Sequence, residues 1–389
     1  MRNFKYPKSF PNKEEEFFLQ LLLSSEDDFP KLWKQWKDQI VFDRLDHATS
    51  KLIPFLYLRL KEADIADNMT GRIQGAYKFT WYKNLLIIDA ARNVVSLLNK
   101  ENIPVILLKG VPLLTNVYKN TGARSLGDAD ILVDPKHIKK AVDMMTANDW
   151  KYSCQSPFSI NSDSESPKLP SDKVIKEITL INDQNVQIDM HWSLFLSKEN
   201  KEHPMSFNEV LKYSIDFDLK EVQCKMPCYE DMIIHIIVHG AEQIRQRTLR
   251  WVLDVAGIIR TMPIDWKLLI EHIKKFDVAM ELNVGFSYLL KNFSIPVPES
   301  FIEELSKLPI EKDKIKRYYK IANNNEITLH RKILFLWNGY RLYERKGNFL
   351  TSWFYFIDFV CKNRGIARKR QIPAFIIGYI KKNHRLFHN

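Results

Sequence analysis

Asp128-Ala-Asp130-Ile-Leu-Val133 constrains this chain more than any other stretch. Residues two apart in a β-strand share a face. A strand over residues 126–133 therefore points Asp128 and Asp130 the same way and sends Ala129, Ile131 and Val133 into apolar packing. Two neighbouring carboxylates repel and resist desolvation unless a cation stands between them. A strand carrying such a pair to one rim of a sheet is a place to expect Mg²⁺. The alternative is a solvated strand end with two unrelated acids. Upstream, residues 105–108 form an apolar run with no polar break and read as a buried strand. Gly110 ends that run, the next eight residues have helical apolar spacing, and Gly122 closes the helix.

A third carboxylate strengthens the metal reading. Residues 177–181 and 186–192 both alternate, and Asn182-Asp-Gln-Asn185 between them has hairpin-turn composition. Gln187, Asp189 and His191 share one face of the second strand; Val186, Ile188, Met190 and Trp192 share the other. Strand interiors are depleted in Asp, so Asp189 asks for a reason. If this strand pairs beside residues 126–133, three carboxylates converge on one edge of a sheet. Such a set holds two divalent ions roughly 3.5–4 Å apart and aligns an in-line phosphoryl displacement.

Lys109-Gly110, Arg124, Asp128-Ala-Asp130-Ile-Leu-Val133 and Ile188-Asp189-Met-His191-Trp192 together resemble the nucleotidyltransferase superfamily with the DNA polymerase beta-like catalytic fold. More closely, the chain is similar to its uncharacterised bacterial nucleotidyltransferase family. The likeness covers residues 103–192 and extends more loosely to about residue 260. It implies an α+β fold, with a small mixed β-sheet core between N-terminal and C-terminal helical regions. It also implies that Asp128 and Asp130 bind Mg²⁺ or Mn²⁺, and that Asp189 completes the metal site and helps deprotonate the acceptor. The donor would be an NTP such as ATP. Lys109, Gly110, Arg124 and Ser125 would face the nucleotide, and His191, His239 and Arg250 are the candidate substrate contacts. The first turn departs from the superfamily: Lys109-Gly110-Val-Pro stands where Gly-Ser is usual. Amides at that helix start still face an anion, and Lys109 can neutralise a phosphate.

A length of 389 residues allows two or three domains. The patterning divides the chain into a helical region over 1–102, the catalytic core over 103–198, a helical domain over 199–348 and a basic, aromatic-rich tail over 349–389. Helices are predicted over 14–23, 29–39, 45–61, 72–99, 135–148 and 229–246, with residues 155–171 as a loop and everything after residue 200 helical. Trp33, Trp36, Tyr57, Trp81 and Tyr82 read as packing residues rather than a base-stacking platform. His235 and His239 share a helix face, but the Glu of a His-Glu-x-x-His zinc site is missing; they read as histidines facing the cleft. Arg245, Arg247 and Arg250 precede Trp251-Val-Leu-Asp254. One reading is a solvated basic turn with one Arg paired to Asp254, and the other places Arg250 near substrate.

No apolar run reaches the roughly 18 residues of a membrane-spanning helix, and the first residues lack the apolar stretch of a secretory signal. The four cysteines are scattered, and Cys224-Lys-Met-Pro-Cys228 has the wrong spacing for a zinc knuckle. They read as free thiols in a reducing cytoplasm. The net charge of +11 falls to about +3 without the eight basic residues that follow Asp358, where no acid occurs. That tail suits a solvated helix pair, a peripheral contact with an anionic membrane surface, or nucleic acid, although no nucleic-acid-binding module is present.

These features point to an enzyme that moves an NMP group from an NTP to a hydroxyl acceptor and releases pyrophosphate. The acceptor is open among a sugar or other small molecule, a peptide, a protein and a nucleic-acid end. Two other classes compete: a degenerate transferase fold acting as a binding or scaffold protein, and a basic adaptor working through its tail.

Overall fold

The computed structural model describes residues 4–152, 177–195, 205–242, 248–322 and residue 356. The loop over 155–171, Arg245, Arg247, the basic tail apart from residue 356, Cys154 and Cys361 lie outside the described residues.

Five helices come first: α1 (Lys13–Leu23), α2 (Phe29–Gln39), α3 (His47–Ser50), α4 (Ile53–Glu62) and α5 (Thr70–Lys100). A capping box starts α1, where the Asn12 side chain accepts from the Glu15 amide at 3.0 Å and the Glu15 carboxylate accepts from the Asn12 amide at 2.7 Å. The single helix expected over 45–61 is two. Pro54 has no amide hydrogen to continue a helix, so it sits in the first turn of α4. The inward stripe of α5 is Ile73, Thr80, Asn84, Ile87 and Ala91. Trp81 and Tyr82 fall between its turns and are 45% and 57% exposed, which corrects their assignment to packing; Trp33 and Trp36 are buried as expected.

Seven strands form one mixed sheet: β1 (Val105–Leu107), β2 (Ala129–Val133), β3 (Lys151–Tyr152), β4 (Glu177–Ile181), β5 (Gln187–His191), β6 (Ile215–Leu219) and β7 (Val222–Met226). Their order is β3-β4-β5-β2-β1-β7-β6. β2 runs antiparallel to β1 and parallel to β5, β4 and β5 form the expected hairpin, and β1 runs parallel to β7. The Asn182 side chain sets the hairpin turn by accepting from the Gln184 and Val186 amides at 3.1 and 2.9 Å. One face of the sheet is covered by α5, which touches β1, β2 and β7.

The all-helical reading after residue 200 is corrected by β6 and β7. Ile215-Asp-Phe-Asp-Leu219 alternates as a strand should, but the turn Lys220-Glu221 carries no Gly or Asn to announce it. Both turn residues nonetheless take positive φ, 49° and 71°, as a two-residue hairpin requires. The sheet therefore draws strands from both sides of residue 198.

Between β1 and β2, α6 (Gly110–Pro112) continues as a π-helical stretch, Leu113–Tyr118. Left-handed Lys119 (φ 49°) stops it, three residues before Gly122. After β2 come α7 (Ile138–Thr146), α8 (Phe207–Lys212), α9 (Tyr229–Glu242), α10 (Arg250–Thr261), α11 (Trp266–Lys275), α12 (Ala279–Asn292), α13 (Glu299–Lys307) and α14 (Lys312–Ala322). α10, α11, α12 and α14 pack against α9, and a buried contact of 2.7 Å between Asp231 and His272 Nδ1 pins α11 to it. Cys224 and Cys228 are free and buried, and burial pushes both thiols upward. No helix among the described residues is long and apolar enough to cross a membrane.

Candidate active site

The register of two parallel strands builds the site. Asp130 on β2 stands directly opposite Asp189 on β5. Ile188 and Met190 alternate with Asp189 and are fully buried, so the hydrophobic pattern locks the strand and holds its acid on the other face. Asp128 lies one residue before β2 and not within it. Asn84, fully buried on α5, accepts from the Leu126 amide at 3.0 Å and donates to the Arg124 carbonyl at 2.8 Å. These bonds tie residues 124–126 to the helix, so the strand begins later than the alternation suggests.

The three carboxylates have unequal environments. Burial disfavours the charge on Asp130, but Lys109, His191 and His235 outweigh it and hold the carboxyl well below the usual range. Lys109 Nζ stands 3.8 Å and His191 Nε2 2.9 Å from Asp130 Oδ1. Asp128 is pushed up, first by burial and then by the charge of Asp130. Asp189 is pushed up to about 7 by burial and by both other acids, against a hydrogen bond from Thr179. Its Oδ1 is buried and has no hydrogen-bond partner. A buried carboxylate oxygen left without a donor is costly, and the donor atoms of Asp130, Asp189 and His191 lie within 4.8 Å of one another. An unpaired oxygen among two carboxylates and an imidazole is chemistry that suits a divalent cation.

His191 is expected to touch substrate, but the structure gives it another place. It is buried, with Nε2 on Asp130 and Nδ1 3.1 Å from Glu177 Oε2. It thus orients Asp130. Glu177 was not singled out by sequence. The hairpin register, in which Glu177 faces His191 and Thr179 faces Asp189, carried that information once the turn at 182–185 was recognised. His235 and His239 on α9 meet edge to face at 6.0 Å, and His235 lies within electrostatic reach of Asp130. His235 is buried and His239 half-buried.

The basic residues also sort themselves. Arg124, not Arg250, pairs with Asp254: its Nε and Nη2 donate to the two carboxylate oxygens at 2.8 and 2.9 Å, and Tyr118 Oη donates to Oδ1 at 2.8 Å. The arrangement ties the end of the π-helical stretch to α10. Arg250 Nη1 donates to the Ser125 carbonyl, so Ser125 enters through its backbone. Gly110 sits tightly, since a Cβ there would stand 2.6 Å from Leu126 Cδ2 and 3.2 Å from Arg124 Nη1 and would need those side chains to move. Lys109 takes φ 40° and ψ −104°. A non-glycine residue held there stores strain of roughly 1–3 kcal/mol, a cost that concentrates at functional sites.

A mixed sheet that sets acids on two adjacent parallel strands beside a glycine turn, with helical flanks, defines a nucleotidyltransferase-like core. Residues 47–293 match the model of the family described as uncharacterised nucleotidyltransferase, and the chain belongs to that family. No curated protein matches the chain.

Proposed function

We propose that this protein transfers a nucleoside monophosphate from an NTP to a hydroxyl acceptor, with Asp128, Asp130 and Asp189 as its working carboxylates. The observation that carries the reading is the strand register of Asp130 opposite Asp189 with one buried, unpartnered carboxylate oxygen between them. Asp130, Asp189 and Asp128 would hold Mg²⁺ or Mn²⁺, with His191 alongside. When bound, the cation supplies charge stabilisation to the phosphoryl oxygens.

The chain's own residues do the rest. Lys109 and His191 keep Asp130 ionised. Asp189, with a carboxyl near neutrality, takes the proton of the acceptor hydroxyl. The acceptor oxygen then bonds to the α-phosphorus as the bond to the bridging oxygen breaks and pyrophosphate leaves. The turn at Lys109 and Gly110, framed by Arg124 and Ser125, borders the donor's phosphates.

The test is incubation with each α-labelled NTP, Mg²⁺ or Mn²⁺ and a cell extract, followed by identification of the labelled product. Wild type is expected to label an acceptor, and Asp130→Asn to lose at least about a hundredfold in rate, the scale of losing a charge that organises phosphoryl transfer. Equal labelling by both would overturn the reading. The absence of Ser from the first turn favours one alternative, a fold that binds nucleotide without turnover; Mg²⁺-dependent NTP binding with no labelled product from any extract would select it.

A further inference from the structure

The cations nearest the carboxylates already have acids of their own. Lys109 is committed to Asp130, and Arg124 is locked in a two-bond pair with Asp254. A second set is not so committed. Lys51, at the end of α3, is half-buried and lies within electrostatic reach of Asp128, Arg124, Arg250 and Lys83. Arg250 reaches the Ser125 carbonyl but has a buried Nε with no hydrogen-bond partner. Lys83 is exposed on α5, its ammonium 5.4 Å over the Phe79 ring, and it is the neighbour of Asn84, which fastens α5 to the 121–126 turn. Among the described residues no carboxylate is within ion-pair distance of Lys51, Lys83 or Arg250.

Like charges gathered around a half-buried lysine repel. Burial, then Arg250, hold the Lys51 ammonium below the usual lysine range, and burial and Arg124 do the same to Arg250. Such a cluster is stabilised by an anion with several charges in a row. A polyphosphate chain answers that description, and a phosphate near the acids would extend directly into this set.

We infer that Lys51, Lys83 and Arg250 form a polyphosphate subsite contributed by the N-terminal helices and α10, in place of the hydroxyl that the first turn lacks. That the polyphosphate belongs to a nucleotide donor rests on the transfer reading above; that the cluster binds polyphosphate does not. Lys51 carries no signal in the sequence, because it sits among helices far in sequence from the acids, and the packing of α4 on α5 carries that segment to them.

The test is calorimetric titration of the full chain with inorganic tripolyphosphate, and separately with NTP and Mg²⁺. Lys51→Met and Arg250→Met should each weaken tripolyphosphate binding about tenfold or more, as expected for the loss of a charge-assisted bond to phosphate. Lys51→Arg should retain most of it. Lys83→Met, at an exposed position that cannot disturb the core, should weaken it about threefold or more. Lys307→Met, on α13, controls for total charge and should change nothing. Loss of tripolyphosphate binding in the Lys51 and Lys83 variants without any transfer activity in wild type supports the subsite and overturns only the transfer reading. Transfer by Lys51→Met and Lys83→Met at wild-type KM, with tripolyphosphate bound as before, overturns the subsite while the transfer reading stands.

Discussion

Asp189 is the residue whose chemistry is most displaced from the ordinary. Its folded carboxyl is pushed up to about 7, well above the usual carboxylate range. The folded state therefore holds a proton that the unfolded chain has released across that window. Stability contributed at this site is full below about pH 4, falls as pH rises, and the loss is complete above about pH 7. Metal-free wild type should lose on the order of a few kcal/mol more than Asp189→Asn between those limits, measured by denaturant unfolding at a series of pH values; parallel curves would contradict it. Asp130 has the opposite sign, because Lys109 and His191 stabilise its charge, so Asp130→Asn destabilises the metal-free protein. Arg124 and Asp254 are buried partners, and removing one leaves the other charged and alone. Arg124→Ala should cost about 3–5 kcal/mol, whereas the double change Arg124→Met with Asp254→Leu should recover most of it. An additive double mutant in the same unfolding assay would show that the pair is not coupled.

At the scale of elements, what could be read from the chain depended on whether the signal was local. The β4–β5 hairpin was legible because Asn182 and Asn185 mark a turn between two alternating runs, whereas the pairing of β5 beside β2 stood only as a condition, since alternation fixes the faces of a strand and not its neighbour. The β6–β7 hairpin was not, since Lys220 and Glu221 take left-handed backbone without any residue type that advertises it. The π-helical geometry of Leu113–Tyr118 and the positive φ of Lys109 are marked by no residue type that announces them. The partner of Asp254 could not be read from order along the chain: Arg250 lies one turn before it on α10, yet Arg124, 130 residues away, is the one that pairs. β7 covers the edge of β1, and α5 covers its face. Residues 103–198 on their own leave that edge open and expose Val105, Ile106 and Leu107, a setting that invites strand addition. This fragment should aggregate on expression; a monomeric fragment with a cooperative melt would contradict the account.

At the scale of the whole molecule, one apolar core runs from α1 to α14 and joins the helical regions to the sheet. The carboxylates come from the sheet, the uncommitted cations from α3, α5 and α10, and His235 from α9. Among the described residues, the site is thus assembled from the helical regions on either side of two strands. On the function proposed above, the acids are kept together, against their mutual repulsion, for a cation and a nucleotide. The measurement that tests this most directly is the melting temperature of wild type and Asp189→Asn at pH 8, with and without Mg²⁺ and NTP. Without ligands the variant should melt higher, because a buried charge beside two others has been removed. With Mg²⁺ and NTP the order should reverse, because wild type alone gains the full binding free energy of the ion and nucleotide. A variant that melts higher by the same margin under both conditions would contradict the claim.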